Sequence, residues 1–181
     1  MTDRRLIQIS KLLSLMLRHQ PEQFSLTLDA EGFAPIEDVL TALQSRLPGA
    51  SADDILAVVA TIEPDKRRFS IEDGEIRANY GHSLEERIKQ QVATPPALLL
   101  HGTTESAALR ILKEGLTPMR RQYVHMTVNR ELALRVGARR GKPALLMIDA
   151  AAAHDTGVAF YRANDSFWLA DSVPAKFIRY A

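Results

Sequence analysis

The sequence predicts an α+β protein of two lobes, on three observations. Residues 4–18 place apolar side chains at helical spacing: Leu6, Ile9, Leu13, Met16 and Leu17. Arg67–Ile71 and Glu75–Asn79 flank Asp73-Gly74 and read as two strands of a β-hairpin. From residue 98 onward short apolar runs alternate with helical ones, after a polar stretch over 83–97 that ends in Thr94-Pro95-Pro96. These signals divide the chain into lobes at 1–92 and 93–181.

In the first lobe Pro21 stops the opening helix soon after Arg18-His19. An extended piece is expected at Ser25–Leu28, followed by the turn Asp29-Ala30-Glu31-Gly32. Pro35 leads into a helix near Ile36–Arg46. Ser51 with Asp54 forms a capping-box pattern opening a third helix over Ala52–Ile62. Helix, short strand, two helices and a hairpin is the order of a winged-helix domain, whose wing carries Lys66, Arg67 and Arg68. A winged helix binds nucleic acid in some proteins and serves only as an interaction module in others.

The second lobe reads as an α/β lobe of short strands. Leu98–Leu100 runs into His101-Gly102-Thr103, and a helix over Ser106–Glu114 is closed by Gly115. A strand follows at Tyr123–Val128, a helix at Arg130–Val136 and a buried strand at Ala144–Ile148. Short strands are expected at Val158–Tyr161, Phe167–Leu169 and Lys176–Tyr180. Neither GxGxxG nor a Walker loop is present, which counts against Rossmann and P-loop nucleotide sites.

Bulk composition narrows the class. At 181 residues, with 46% apolar and 25% charged side chains, the chain is expected to be folded and soluble. The absence of cysteine excludes disulfides, thiolate metal sites and thiol catalysis. No apolar run approaches the roughly 20 residues of a membrane span, and MTDRRLIQIS lacks a signal-peptide core, so a cytoplasmic protein is expected. Net charge is +1 but uneven, −4 over residues 1–92 and +5 over 93–181. An RNA contact by the first lobe must therefore rest on a local cationic cluster.

Five segments carry chemistry-bearing side chains. Arg18-His19 at a helix end is either a pair satisfying the helix dipole or an anion site with a guanidinium fork and a titratable imidazole. Arg77-Ala78-Asn79-Tyr80-Gly81-His82-Ser83 is either a solvated loop or a dense polar site that Gly81 opens to close approach. His101-Gly102-Thr103 reads as a strand end offering imidazole, hydroxyl and bare backbone N–H to a nucleotide. His125-Met126-Thr127 repeats the His-x-Thr spacing, with His125 and Thr127 on one side of a strand. The alternative for either histidine is a satisfied core residue. Gly137-Ala138-Arg139-Arg140-Gly141-Lys142 is a phosphate-binding loop or merely a basic helix C-terminus. No DxD or HExxH pattern points to a metal.

Read in order, these segments resemble the RNA 2′-phosphotransferase family. The matching stretches are SKLLSLMLRHQPE with LTLDAEGF, IRANYGHS, LLLHGTTESAALRILKEGL, YVHMTV, VGARRGKPALLMIDA and GVAFYRANDSFWLADSVPAKFI. The resemblance implies a winged-helix RNA lobe followed by an ADP-ribosyltransferase-like lobe that binds NAD as a consumed co-substrate. It implies RNA bearing an internal 2′-phosphate as the other partner. No metal is expected from the motifs, and no obligate protein partner is evident in the sequence. Its catalytic residues map onto Arg18, His19, Arg77 and Arg139. Its NAD-lobe histidines map onto His101 and His125, beside the candidate contacts Gly102, Thr103 and Thr127. Arg140 stands where the family often has His, and Thr127 replaces a frequent Ser.

Two rivals belong to other classes. An ADP-ribosyltransferase that stops after one transfer leaves a stable adduct, and commonly uses a catalytic glutamate for which the second lobe offers no convincing candidate. A winged-helix regulator binds duplex DNA without NAD, and the acidic first lobe counts against it.

Overall fold

The computed structural model describes residues 3–60 and 67–181. Lys66 of the expected basic wing lies outside the described residues, as does the side chain of Arg140. Contacts divide the chain into two compact units, with the division in the sequence between Lys89 and Gln90.

In the first unit, helix α1 (Asp3–Arg18) buries Ile9, Leu13, Met16 and Leu17 completely. Their spacing puts all four on one stripe, which packs on Leu43, Ile55 and Ile76. The helix closes as the Gln20 N–H turns back to the Leu15 carbonyl at 2.9 Å, and Pro21 opens a single 3₁₀ turn, Pro21–Phe24. Helix α2 (Ile36–Arg46) follows strand β1 (Phe33–Pro35) directly. Helix α3 (Ala52–Val59) opens on the expected capping box: the Asp54 N–H donates to Ser51 Oγ, and the Ser51 N–H donates to the Asp54 carboxylate. Arg5 also donates to Asp54 at 2.9 Å. That bond, ahead of the Ser51 amide, holds the carboxyl below its ordinary range. The helix stops at Val59, where the Ala60 N–H closes on Leu56; Ile62, the expected end, lies outside the described residues.

Strands β2 (Phe69–Glu72) and β3 (Glu75–Ala78) form the hairpin, with Asp73 and Gly74 both at positive φ, 48° and 82°. That is the backbone a two-residue hairpin loop requires. The sheet order is β1-β3-β2, with Phe33 opposite Arg77. The extended piece expected at Ser25–Leu28 joins no strand; the sheet takes Phe33–Pro35 instead. The reason is the turn. The Asp29 carboxylate accepts from the N–H groups of Glu31 and Phe33, at 2.9 and 2.7 Å, and Gly32 sits at φ +86°. This reversal delivers Phe33, not Ser25, to β3.

The second unit holds β4 (Leu98–Thr104), α4 (Glu105–Glu114), β5 (Val124–Thr127), α5 (Arg130–Gly137), a 3₁₀ turn Ala138–Arg140, β6 (Pro143–Asp149), α6 (Ala150–Asp155), β7 (Phe160–Arg162), β8 (Phe167–Ala170) and β9 (Ile178–Tyr180). The strands form one antiparallel sheet in the order β7-β8-β5-β4-β6-β9. Leu99, Leu146, Ile148, Met126 and Trp168 share one face and pack with Ala108 and Ile111 of α4 and Ala153 of α6. Helix α5 packs on β4 and β6. Helix α6 was not expected from the sequence, although Asp149 supplies an N-cap, accepting from the Ala152 N–H, before four consecutive alanines.

One expectation is corrected here. His101-Gly102-Thr103 does not follow the strand; it lies inside β4. Pairing with β6 is continuous from Leu98↔Asp149 to Thr104↔Pro143, and Thr104 caps α4 through the Ala107 N–H. The polar residues stay extended because β6 offers a full-length partner.

Candidate active site

The first unit gathers Arg18, His19 and Arg77 around one buried imidazole, His82. The end of α1 presents Arg18, whose guanidinium lies over the Tyr80 ring at 5.0 Å and the Phe69 ring at 5.4 Å. Its Nη2 donates to the Arg68 carbonyl at 3.2 Å. Gly81, at φ +92°, lets the chain pass this group: a Cβ there would stand 3.4 Å from Arg18 Nη1. Arg77 projects from β3 over the Phe33 ring at 4.7 Å, and its Nε donates to Ser70 Oγ. Ser70 in turn donates to the buried Asn79 at 2.8 Å. Both guanidinium groups thus stand over aromatic rings and donate to a neighbouring oxygen, Arg18 to the Arg68 carbonyl and Arg77 to Ser70.

Ser83 ties the two segments together. Its N–H donates to the Arg18 carbonyl at 3.0 Å, and its Oγ stands 2.8 Å from His19 Nδ1. Between them His82 is 2% exposed, and its Nε2 meets no hydrogen-bond partner among the described residues. Burial first, then the charges of Arg18, His19 and Arg77, push its pKa down to about 4. His82 is therefore neutral at pH 7, a polar filler that adds no further positive charge beneath the cations.

In the second unit β4 and β5 share only the pair Leu100↔Thr127. Beyond it His101 Nδ1 reaches the His125 carbonyl at 2.9 Å. The carbonyl accepts, so Nδ1 carries the proton, and desolvation lowers the pKa of this imidazole. Neutral His101 then offers Nε2 as an acceptor. His125 similarly donates from Nδ1 to the Tyr123 carbonyl at 2.9 Å. Alternation along the paired strands puts His101 on the face of Leu99 and Met126, whereas His125 and Thr127 take the opposite face with Leu100. The two His-x-Thr segments thus present their side chains to different sides of the sheet. Thr127 is buried, and its hydroxyl accepts from the Asn129 N–H just ahead of α5.

Two glycines of this unit, Gly102 and Gly137, serve packing. A Cβ on Gly102 would stand 1.6 Å from the Ala133 carbonyl oxygen, and one on Gly137 would stand 2.6 Å from the Thr103 carbonyl oxygen. Gly137 is helical at φ −59°. These residues let α5 lie directly on the β4 backbone, which carries the chain to Arg139, an exposed side chain in the following turn. Lys142, read as a third cation of that loop, bonds Glu105 at 2.8 Å, and that bond raises its pKa. Among the described residues no group of three His, Asp or Glu side chains is placed to hold a metal ion, and no helix is long and apolar enough to cross a membrane.

Comparison with known proteins decides the family. Residues 4–172 match the model of the RNA 2′-phosphotransferase, Tpt1 / KptA family. The chain belongs to the RNA 2′-phosphotransferase family. It is 43% identical to a probable RNA 2′-phosphotransferase of Streptomyces griseus, over 98% of each chain. It is 41% identical to one of Acetivibrio thermocellus, over 96% of each, and 43% identical to one of Agrobacterium fabrum, over 93% of this chain and 91% of that one.

In this family member the sequence pointed to Arg18, His19 and Arg77 but not to what holds them. Phe33, Phe69 and Tyr80 as guanidinium platforms, Ser70 as a relay and Ser83 as the His19 partner emerge only in three dimensions. The density of polar groups in residues 77–83 was the available signal.

The buried His82 predicts an acid-sensitive first unit. Its folded pKa lies below the unfolded value of 6.5, so the unfolded chain binds the proton first. The unfolding free energy then falls by roughly 1.4 kcal/mol per pH unit below pH 6.5. The loss levels off near pH 4, for a total of about 3 kcal/mol. Urea melts of the wild type and His82→Gln from pH 7 to 4 check this, since the variant loses that slope. Parallel pH profiles would contradict it.

Proposed function

We propose that this chain removes an internal 2′-phosphate from RNA by transferring it to NAD. The observation that carries this reading is the preorganised cluster of Arg18, His19 and Arg77 around a neutral His82. Such a cluster suits a dianionic phosphate, which carries close to −2 at neutral pH and attacks without a general base. In this reading the first unit is a winged-helix RNA lobe, and the second an ADP-ribosyltransferase-like NAD lobe.

Two steps follow from the resemblance. The RNA 2′-phosphate displaces nicotinamide from ribose C1″, and the ribose 2″-hydroxyl then attacks phosphorus. RNA with a free 2′-hydroxyl and ADP-ribose 1″,2″-cyclic phosphate result. Arg18 and Arg77 position the phosphate in the first step and stabilise the charge that builds on its oxygens in the second. Arg139, carried over from the family pattern, is the further phosphate arginine. His19 donates a proton to the departing RNA 2′-oxygen. His101 Nε2, an acceptor, suits a ribose hydroxyl of NAD; Gly102, Thr103, His125 and Thr127 are the remaining proposed NAD contacts.

The decisive experiment incubates the protein with NAD and an oligonucleotide bearing one internal 2′-phosphate. Dephosphorylated RNA, nicotinamide and ADP-ribose 1″,2″-cyclic phosphate should form in equal amounts. A stable ADP-ribosylated RNA with no cyclic phosphate would instead mark a transferase that stops after one step. Unchanged substrate would refute the proposal altogether.

A further inference from the structure

We propose that Ser83 is a positioning residue that sets the tautomer of His19: its hydroxyl accepts the Nδ1 proton and leaves Nε2 as the atom that delivers a proton to the substrate. The inference rests on the function proposed above and specifies how one of its groups works.

The geometry constrains Ser83 from two sides. Its N–H is committed to the Arg18 carbonyl at the end of α1, at 3.0 Å, and its Oγ meets His19 Nδ1 at 2.8 Å. The residue before it, His82, is buried to 2% exposure and anchors the loop. Residue 83 therefore has little freedom to drift, although both Ser83 and His19 are exposed at the surface. His19 and Arg18 are consecutive, so one residue fixes the carbonyl of the first and the ring of the second. A short hydrogen bond to Nδ1 from a group held by backbone is how an imidazole is oriented for proton transfer at its other nitrogen.

The tautomer matters because a neutral imidazole in water favours the proton on Nε2. A protonated His19 carries N–H at both positions. With Ser83 accepting from Nδ1–H, the proton lost is the one on Nε2, and the neutral product keeps Nδ1–H. In the second step the P–O2″ bond forms as the P–O2′ bond breaks. The electron pair of the broken bond stays on O2′, which takes the His19 Nε2 proton and leaves as the RNA 2′-hydroxyl. The 2″-hydroxyl proton goes to solvent, from which His19 is later reprotonated. Without Ser83 the ring can turn and the Nε2–H tautomer dominates the neutral form, so the second step slows while the first, which needs no proton, does not.

The test combines nitrogen-15 NMR of the histidine side chains with single-turnover assays on the 2′-phosphorylated oligonucleotide. The His19 signals are assigned by their loss in His19→Gln. In the wild type, neutral His19 should show a protonated Nδ1. Ser83→Ala should move the population toward protonated Nε2, slow the second step roughly ten-fold and accumulate 2′-phospho-ADP-ribosylated RNA, with the first step within about two-fold of wild type. Ser83→Thr, which restores the hydroxyl, should restore both readouts. An unchanged tautomer in Ser83→Ala, or equal slowing of both steps, overturns the role of Ser83 while leaving the function intact. A wild type that forms neither intermediate nor cyclic phosphate overturns the function and this inference with it, and the same assay separates the two failures.

Discussion

Gly102→Ala is expected to unfold the second unit. The added methyl would stand 1.6 Å from the carbonyl oxygen and 2.4 Å from the carbonyl carbon of Ala133, both backbone atoms in α5. No rotamer relieves such a contact, because the obstacle is not a side chain. Relief requires α5 to lift away from β4, and with it the buried Leu132 and Ala133. Overpacking ordinarily costs 1–3 kcal/mol when side chains can adjust. Here the cost should exceed about 3 kcal/mol, since helix and strand cannot both keep their places. A thermal melt followed by circular dichroism should show the transition falling by more than about 10 °C, or no folded second unit at all. A midpoint within a degree or two of wild type would show that α5 does not lie on β4 as described. The space a side chain at residue 102 would need is filled by α5, which leaves only the backbone of Gly102 for its proposed NAD contact.

Arg18→Ala should leave the chain folded and lower kcat/KM at least roughly 100-fold on a 2′-phosphorylated oligonucleotide, the scale for losing one donor aimed at transition-state charge. Arg18→Lys should recover little of this. A lysine keeps the charge but lacks the planar fork that lies over Tyr80 and Phe69 and donates to the Arg68 carbonyl. Circular dichroism separates a folding defect from a catalytic one, because the buried stripe of Ile9, Leu13, Met16 and Leu17 is untouched. Activity close to wild type in a folded Arg18→Ala would remove Arg18 from the site, and with it the main support for phosphate handling by the first unit.

Much of the first unit was legible in the sequence because its signals are local. The apolar spacing of α1, the Ser51–Asp54 box and the Asp73-Gly74 turn each act within a few residues. Where the reading failed, a non-local partner decided. The strand falls at Phe33–Pro35 and not at Ser25–Leu28 because the Asp29 turn and pairing with β3 select it. β4 extends to Thr104 because β6 pairs along its whole length. Helix α6 is a different failure, a local signal of cap and alanines overlooked beside a strong buried strand.

The sequence by itself determined the α+β class, the helical end at Arg18-His19, the hairpin that carries Arg77 and, through motifs in their order, the family. These depend on spacing, capping and turn chemistry written into neighbouring residues. Only the tertiary structure decided that Arg18 stands over Tyr80 and Phe69, and Arg77 over Phe33. It alone showed that His82 is buried and neutral beneath them, that Ser83 holds His19, and that His101 and His125 face opposite sides of their sheet. The physical reason is that stacking, desolvation and strand register depend on which distant residues meet. Arg18 and Tyr80 lie 62 positions apart in the chain, and no pattern along it records that their side chains touch.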